Sequence, residues 1–131
     1  MVVLDTHLWL LWLHSPDKLS PLARKRIEDE TKTGVLLIFC YLGWEMATKV
    51  QMRRLVIPME IYRWYNLAAN YPATIIEPVS PLDTIDSTKL PGDFHKDPAD
   101  RIIIAFAKRH GADLLTCDQK ILAYEHVKAI W

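Results

Sequence analysis

The chain has 131 residues, of which 50% are hydrophobic and 24% are charged, with 4 Gly and 8 Pro. A chain of this length buries enough surface for one hydrophobic core, and its composition excludes a disordered or collagen-like protein. Its 16 basic and 16 acidic residues balance, which excludes a polybasic protein that binds duplex nucleic acid by charge alone. We therefore expect one globular domain over residues 1–131.

Neither a membrane segment nor a disulfide framework is expected. The longest apolar runs, residues 8–13 and 35–42, are much shorter than the roughly 18 residues that indicate a membrane span. The first charged residue is the acid Asp5, whereas a secretory signal begins with basic residues. Cys40 and Cys117 are far apart and form no Cys-x-x-Cys motif, so we expect two buried free thiols in the reducing cytoplasm.

Apolar runs alternate with helical patterns along the whole chain. Strands are predicted at 2–4, 35–39, 74–79, 112–117 and 127–130. Helices are predicted at 7–14, 22–31, 44–54, 58–70, 81–90, 97–109 and 118–125, with a loop over 91–96. Continuous apolar strands that alternate with helices predict a three-layer α/β/α fold around a mainly parallel, five-stranded sheet.

Two acidic residues follow predicted strands. Asp5 comes directly after the first strand, and Asp118 comes directly after the strand that contains Thr116 and Cys117. Sites in α/β proteins lie outside the carboxyl ends of the strands. Each acid alone is explained as a turn residue or helix cap, but two at one sheet edge favour a shared site.

Two further acids are candidates for the same site. Asp100 lies in the first turn of the helix after residue 97, in phase with the apolar Ile103, Ile104 and Ala107 that follow. Asp97, just before Pro98, is expected to be the N-cap of that helix. Glu45 lies four residues before Lys49, a spacing that by default predicts a surface ion pair.

Four carboxylates at one sheet edge repel one another unless cations neutralise them. Mg²⁺ and Mn²⁺ prefer oxygen ligands, and such ions activate water and stabilise phosphoryl transfer. Neutralising four acids leaves 12 acidic against 16 basic residues, a net charge of +4. The metal-loaded protein is therefore expected to attract a phosphate backbone mildly.

Four segments together resemble the PIN-domain family, in particular the VapC toxins of toxin–antitoxin pairs. They are Leu4-Asp5-Thr6-His7, residues 44–49, residues 97–101 and Thr116-Cys117-Asp118. The resemblance implies a parallel α/β sheet and a Mg²⁺- or Mn²⁺-dependent ribonuclease that cuts single-stranded or structured RNA. It also implies a homodimer that a small antitoxin protein inhibits.

The resemblance assigns roles to six residues. It implies that the catalytic, metal-binding acids are Asp5, Glu45, Asp100 and Asp118, and that the supporting hydroxyls are Thr6 and Thr116. By their position alone, both threonines are also explained as strand-end or capping residues. Many relatives carry serine three residues before the glutamate, where this chain has Leu42. This departure weakens the assignment of Glu45 more than that of the other acids.

Two other functions stay open at this point. The first is an inactive PIN-like scaffold that binds RNA or protein, although a scaffold has no need of converging acids. The second is a haloacid-dehalogenase-like phosphatase, which begins with an aspartate after the first strand and for which Gly92-Asp93 imitates a late acidic motif. That fold needs a second aspartate where this chain has His7. Arg101 is expected to pair with a surface acid.

Overall fold

A computed structural model describes residues 1–131 as a five-stranded sheet connected by seven α-helices. The strands are β1 (Val2–Leu4), β2 (Leu36–Phe39), β3 (Thr74–Glu77), β4 (Asp113–Leu115) and β5 (Ala129–Ile130). The helices are α1 (Thr6–His14), α2 (Pro21–Thr33), α3 (Tyr41–Gln51), α4 (Ile61–Ala69), α5 (Pro81–Ser87), α6 (Pro98–His110) and α7 (Gln119–Leu122). A short 3-10 helix, Pro16–Lys18, follows α1.

The sheet has the strand order β3-β2-β1-β4-β5, and every neighbouring pair is parallel. The chain first builds β2 and β3 on one side of β1 and then crosses to build β4 and β5 on the other side. A parallel sheet that changes direction in this way leaves a crevice outside the carboxyl ends of the two strands at the change, here β1 and β4. The predicted α/β/α fold is confirmed.

The core lies on both faces of the central strands. Every residue of β1 and β2 is buried, as expected for strands that helices cover on both sides. Trp9 of α1 and Phe106 of α6 are among the largest fully buried side chains. The continuous apolar runs of the sequence therefore form the central strands, because both faces of these strands are removed from water.

Helix ends follow the capping residues of the sequence, with one shift. Ser20 caps α2 by accepting a hydrogen bond from the N–H of Ala23, and Gly111 ends α6 with a φ of 58°, in the left-handed region that glycine favours. The helix predicted from residue 58 begins instead at Ile61. The carboxylate of Glu60 accepts from the first free N–H groups of α4, and this side-chain cap sets the start.

Several helices differ from the prediction in position or length, and one burial prediction is wrong. Helix α3 lies three residues earlier than the predicted 44–54, and α7 has only four residues. The expectation of two buried thiols fails because Cys40 is exposed and Cys117 is only partly buried. Cys40 lies between β2 and α3, where the chain leaves the sheet. No helix is both long and apolar enough to span a bilayer.

Candidate active site

A cavity of about 250 Å³ lies at the carboxyl edge of the sheet. The structure brings four acids to its lining: Asp5 at the end of β1, Glu45 on α3, Asp100 in the first turn of α6 and Asp118 after β4. Thr6 also lines the cavity, whereas Thr116 is buried behind it and contacts Asp5. These side chains come from distant parts of the sequence and meet because β1 and β4 are neighbours.

The carboxylate of Asp5 is held from two sides. Its Oδ1 accepts a hydrogen bond of 2.8 Å from the N–H of Leu8, which caps α1, and its Oδ2 accepts a hydrogen bond from the hydroxyl of Thr116. The same Thr116 oxygen accepts from the N–H of Asp118 at 3.0 Å. Thr116 therefore connects the acids that follow β1 and β4.

Glu45 is also bonded through both of its oxygens. Thr6 donates its hydroxyl hydrogen to Oε2 at 2.6 Å, and the ammonium of Lys49 lies 2.9 Å from Oε1. The side chain of Glu45 is partly exposed to the cavity. Leu42, one turn earlier on α3, is buried at the wall of the same cavity. An apolar side chain thus forms the cavity wall three residues before Glu45, and the hydroxyl next to Glu45 comes from Thr6 on α1.

Asp97 and Asp100 have different surroundings although they are one turn apart. Asp97 is the N-cap of α6, and its Oδ1 accepts from the N–H of Asp100 at 3.2 Å. Asp100 lines the cavity, and Asp97 does not. The ring of His95 approaches Asp100, with Nε2 3.1 Å from Oδ2, at angles that do not form a hydrogen bond. The main-chain N–H of Asp97 donates to Nδ1 of this ring.

Asp118 also caps a helix. Its Oδ1 accepts from the N–H groups of Lys120 and Ile121 at 2.7 and 3.3 Å. Asp5 and Asp118 therefore each cap a helix and also line the cavity. Each uses one carboxylate oxygen, Oδ1, as the cap.

Burial and mutual repulsion make two of the acids hard to ionise. Burial is the largest influence on Asp100, with the negative charges of Asp97 and Asp118 acting in the same direction, and together they raise its pKa to about 6. Burial also raises the pKa of Asp5, against the opposing hydrogen bonds from Thr116 and Leu8. A buried acidic cluster of this kind is the setting that a bound cation stabilises.

The donor set fits a hard divalent cation. All four acids present oxygen ligands, which Mg²⁺ and Mn²⁺ prefer. No three of the His, Cys, Asp and Glu side chains surround one point closely enough to hold an ion by themselves. Mg²⁺ commonly uses only one or two carboxylates and keeps several waters, and a cavity of about 250 Å³ has room for such water. The acids surround this space.

The sequence did not single out several residues at the cavity. Lys49, predicted as half of a surface pair, lines it, and so do Tyr41 and the partly exposed Cys117. The spacing of Glu45 and Lys49 on one helix face was the available signal for Lys49. Tyr41 lies one turn before Glu45 on α3, but the sequence gives no sign that its ring reaches the acids.

One minor expectation is wrong, and one alternative function is excluded. Arg101 does not pair with an acid; its guanidinium donates to the main-chain oxygens of Ser87, Phe94 and His95 at 2.8, 3.0 and 3.3 Å. Arg101 therefore fastens the loop before α6. The phosphatase alternative fails because Asp93 lies exposed in this loop and is not part of the acidic cavity.

A parallel sheet with four carboxylates in a cavity at its carboxyl edge defines an α/β protein with a site suited to divalent cations. The PIN domain family model matches residues 2–127. The chain belongs to the PIN domain family.

Relatives and solved structures agree with this membership. The chain is 29% identical over 129 residues to Ribonuclease VapC22 of Mycobacterium tuberculosis, covering 98% of this chain and 95% of the relative. Its fold is similar to that of VapBC2 from Rickettsia felis bound to a promoter DNA fragment, with a TM-score of 0.71, 15% identity and coverage of 99% and 98%. It is also similar to a toxin–antitoxin complex from Klebsiella pneumoniae, with a TM-score of 0.69, 14% identity and coverage of 100% and 97%.

Proposed function

We propose that this protein is a metal-dependent endoribonuclease that cleaves phosphodiester bonds of single-stranded RNA. The observation that carries the proposal is the set of four carboxylates from β1, α3, α6 and β4 around one cavity. Membership in the PIN domain family and the relative named Ribonuclease VapC22 support it. PIN-domain ribonucleases generally use a divalent metal, and for this chain we propose Mg²⁺ or Mn²⁺.

Each site residue has a proposed role. The residues that would hold the metal, directly or through its bound waters, are Asp5, Glu45, Asp100 and Asp118. A bound divalent ion supplies an activated water and stabilises negative charge on the phosphate oxygens. Thr116 and Thr6 orient Asp5 and Glu45 through their hydroxyl hydrogen bonds. Leu42 and Ile103 give the cavity apolar walls, which strengthen the electrostatic interactions inside.

We also propose that the protein is the toxin of a toxin–antitoxin pair, acts in the cytoplasm and forms a homodimer. Two structural neighbours, VapBC2 and the Klebsiella complex, are toxin–antitoxin assemblies. The chain has an apolar surface that a partner can cover: Tyr62 is 77% exposed and Leu67 is 58% exposed on α4. Beside Tyr62, a second cavity of about 280 Å³ lies between α3 and α4.

The test of the ribonuclease proposal is cleavage of a single-stranded oligoribonucleotide by the purified protein. We expect cleavage with Mn²⁺ or Mg²⁺, no cleavage in EDTA, and a melting temperature that Mn²⁺ raises because the ion binds the native state. A protein that Mn²⁺ stabilises but that cleaves no RNA would favour the inactive scaffold. A protein indifferent to Mn²⁺ in both assays would contradict a metal site altogether.

A further inference from the structure

The acidic cavity contains one lysine and no arginine. Lys49 lines the cavity from α3 with a side chain that is 42% exposed. Arg101, the nearest arginine in sequence to Asp100, is occupied by three main-chain carbonyls. Lys49 is therefore the permanent cation that offsets the four carboxylates around this space.

Lys49 is placed to exchange partners. Its ammonium lies 2.9 Å from Oε1 of Glu45, while Oε2 is held independently by the hydroxyl of Thr6 at 2.6 Å. Glu45 would thus stay oriented by Thr6 if Lys49 left it. The ion pair is less exposed than the comparable pair of Lys25 and Asp29 on α2, whose side chains are 72% and 48% exposed.

A phosphodiester needs a positive group in this cavity besides the metal. Its non-bridging oxygens carry the negative charge, and lysine binds phosphate as a compact point charge on a flexible stem. When Glu45 serves as a ligand of a divalent cation, its negative charge is already compensated. The ammonium of Lys49 then remains beside the substrate cavity without a carboxylate that needs it.

Building on the proposed ribonuclease function, we propose that Lys49 is a positioning residue with two alternate partners. In the metal-free protein it holds the carboxylate of Glu45, and in the metal-loaded protein it binds a phosphate oxygen of the RNA. Lys49 therefore competes with the metal for Glu45 but assists the substrate. Removal of the Lys49 ammonium should therefore strengthen the binding of the metal and weaken the binding of RNA. An ion pair with only a structural role does not produce these opposite effects.

The first measurement is Mn²⁺ binding without RNA, followed by electron paramagnetic resonance of the free ion. Lys49→Met should lower the Kd for Mn²⁺ by about fivefold, because an ion pair of this exposure contributes up to about that factor. Lys49→Arg keeps the charge and should stay within about twofold of the wild type. Lys25→Met is the matched control, since it removes a lysine from an i,i+4 pair away from the cavity, and it should leave the Kd unchanged.

The second measurement is kcat/KM for a single-stranded oligoribonucleotide with saturating Mn²⁺ over a series of KCl concentrations. Lys49→Met should lower kcat/KM by about tenfold at the lowest salt, as expected for a lost charge-assisted contact. The slope of log kcat/KM against log salt should become shallower by about 0.7, the value for one lost phosphate contact on a single strand. Lys49→Arg and Lys25→Met should keep the wild-type slope.

The outcomes separate this inference from the proposed function. If Lys49→Met matches Lys25→Met in both Mn²⁺ affinity and salt slope, the partner exchange is overturned and Lys49 is a surface ion pair. Weaker binding of Mn²⁺ by Lys49→Met also overturns it. A wild-type protein that cleaves no RNA overturns the proposed function and the phosphate contact with it, while a tighter Mn²⁺ affinity of Lys49→Met would still support the pairing with Glu45.

Discussion

At the scale of single residues, the first turn of α6 assigns different tasks to two aspartates. We expect Asp100→Asn to abolish metal-dependent RNA cleavage, because Asp100 lines the acidic cavity. Asp97 caps the helix and lies outside the cavity. Asp97→Ala should cost about 1 kcal/mol of unfolding free energy, as lost caps do, and should still cleave RNA.

Asp97→Asn is the control for this pair. Asparagine caps as well as aspartate, so this variant should keep both its stability and its cleavage activity. The measurements are single-stranded RNA cleavage with Mn²⁺ and thermal melts of the three variants. If Asp97→Asn were inactive and Asp100→Asn active, the assignment of the two residues would be reversed.

The raised pKa of Asp100 predicts a pH-dependent stability of the metal-free protein. The folded pKa of about 6 exceeds the ordinary value of 3.8, so the native state binds the proton more tightly than the unfolded state. This contribution to stability is complete below about pH 4 and is lost as the pH rises through 6. Asp100→Asn removes the ionisation and should therefore be more stable than the wild type at neutral pH.

Urea denaturation in EDTA measures this effect. With a side chain that is 30% exposed, we expect Asp100→Asn to gain about 1–2 kcal/mol at pH 7, after allowance for solvent screening. The gain should vanish near about pH 3, below the ordinary pKa of 3.8, where Asp100 is mostly protonated in both the folded and the unfolded wild-type chain. A gain of equal size at both pH values would attribute it to packing and contradict the ionisation argument.

At the scale of elements, an ion pair between a partly exposed arginine and a buried carboxylate connects α5 to α6. The guanidinium of Arg109 donates to both oxygens of Asp83 at 2.6 and 3.0 Å, and it also donates to Glu77 at the end of β3. Asp83 is 1% exposed and, within its own helix, completes the capping box with Ser80. Removal of Arg109 would leave this carboxylate buried without a counter-charge.

We therefore expect Arg109→Met to lower the unfolding free energy by about 3 kcal/mol. Arg24→Met is the control, because Arg24 forms an exposed i,i+4 pair with Glu28 on α2 and should cost at most about 0.5 kcal/mol. Urea denaturation at pH 7 compares the two variants. Equal, small losses would show that the pair of Arg109 and Asp83 adds little to the association of α5 with α6.

The sequence predicted elements better than it predicted the contacts between them. Strands such as β2 could be identified from apolar runs, and the starts of α2 and α6 from a capping residue followed by proline, because these signals are local. The start of α4 could not, since Pro58 and Glu60 are both acceptable first-turn residues and the chain uses the carboxylate cap.

At the candidate site, too, local sequence patterns predicted individual residues better than the contacts between them. Asp5, Asp100 and Asp118 could be proposed from strand ends and helix phase, which local pattern reveals. The bonds from Thr6 to Glu45 and from Thr116 to Asp5 span 39 and 111 residues, and no local periodicity encodes such pairs. For the same reason Arg101 was given the wrong partner, as its acceptors are carbonyls of a loop whose course depends on tertiary packing.

At the scale of the whole molecule, exposed apolar residues predict self-association. Five large hydrophobic side chains over α4 and its end are exposed or partly exposed, among them Tyr62, Leu67 and Tyr71, and the net charge is zero. We expect sedimentation to show a dimer at tens of micromolar, a concentration matched to ordinary micromolar affinities of roughly −8 kcal/mol. A monomer at this concentration would contradict the homodimer.

The surface of α4 also predicts where the proposed antitoxin binds. Tyr62 lines the apolar cavity between α3 and α4, and α3 contributes Glu45 to the acidic cavity. Replacing the exposed Tyr62 and Leu67 with serine should weaken binding of the proposed antitoxin by more than about tenfold, through lost apolar burial. The melting temperature of the isolated chain should stay unchanged, and calorimetric titration measures the binding.

A control on a different helix completes this test. Leu22 on α2 is 58% exposed, the same as Leu67, and Leu22→Ser should leave the affinity for the small protein unaltered. Equal weakening by Leu22→Ser would show a general loss of surface hydrophobicity and would not support α4 as the binding face.

The position of β1 between β2 and β4 has a consequence for the synthesis and folding of the protein on the ribosome. Asp5 is synthesised more than a hundred residues before its partner Thr116 and the acid Asp118. At roughly 5–20 residues per second, several seconds pass before the second half of the cavity emerges. A nascent or prematurely terminated chain without β4 and Asp118 cannot assemble the cavity. The translating ribosome and its messenger RNA are therefore not exposed to a completed nuclease until this segment has been synthesised.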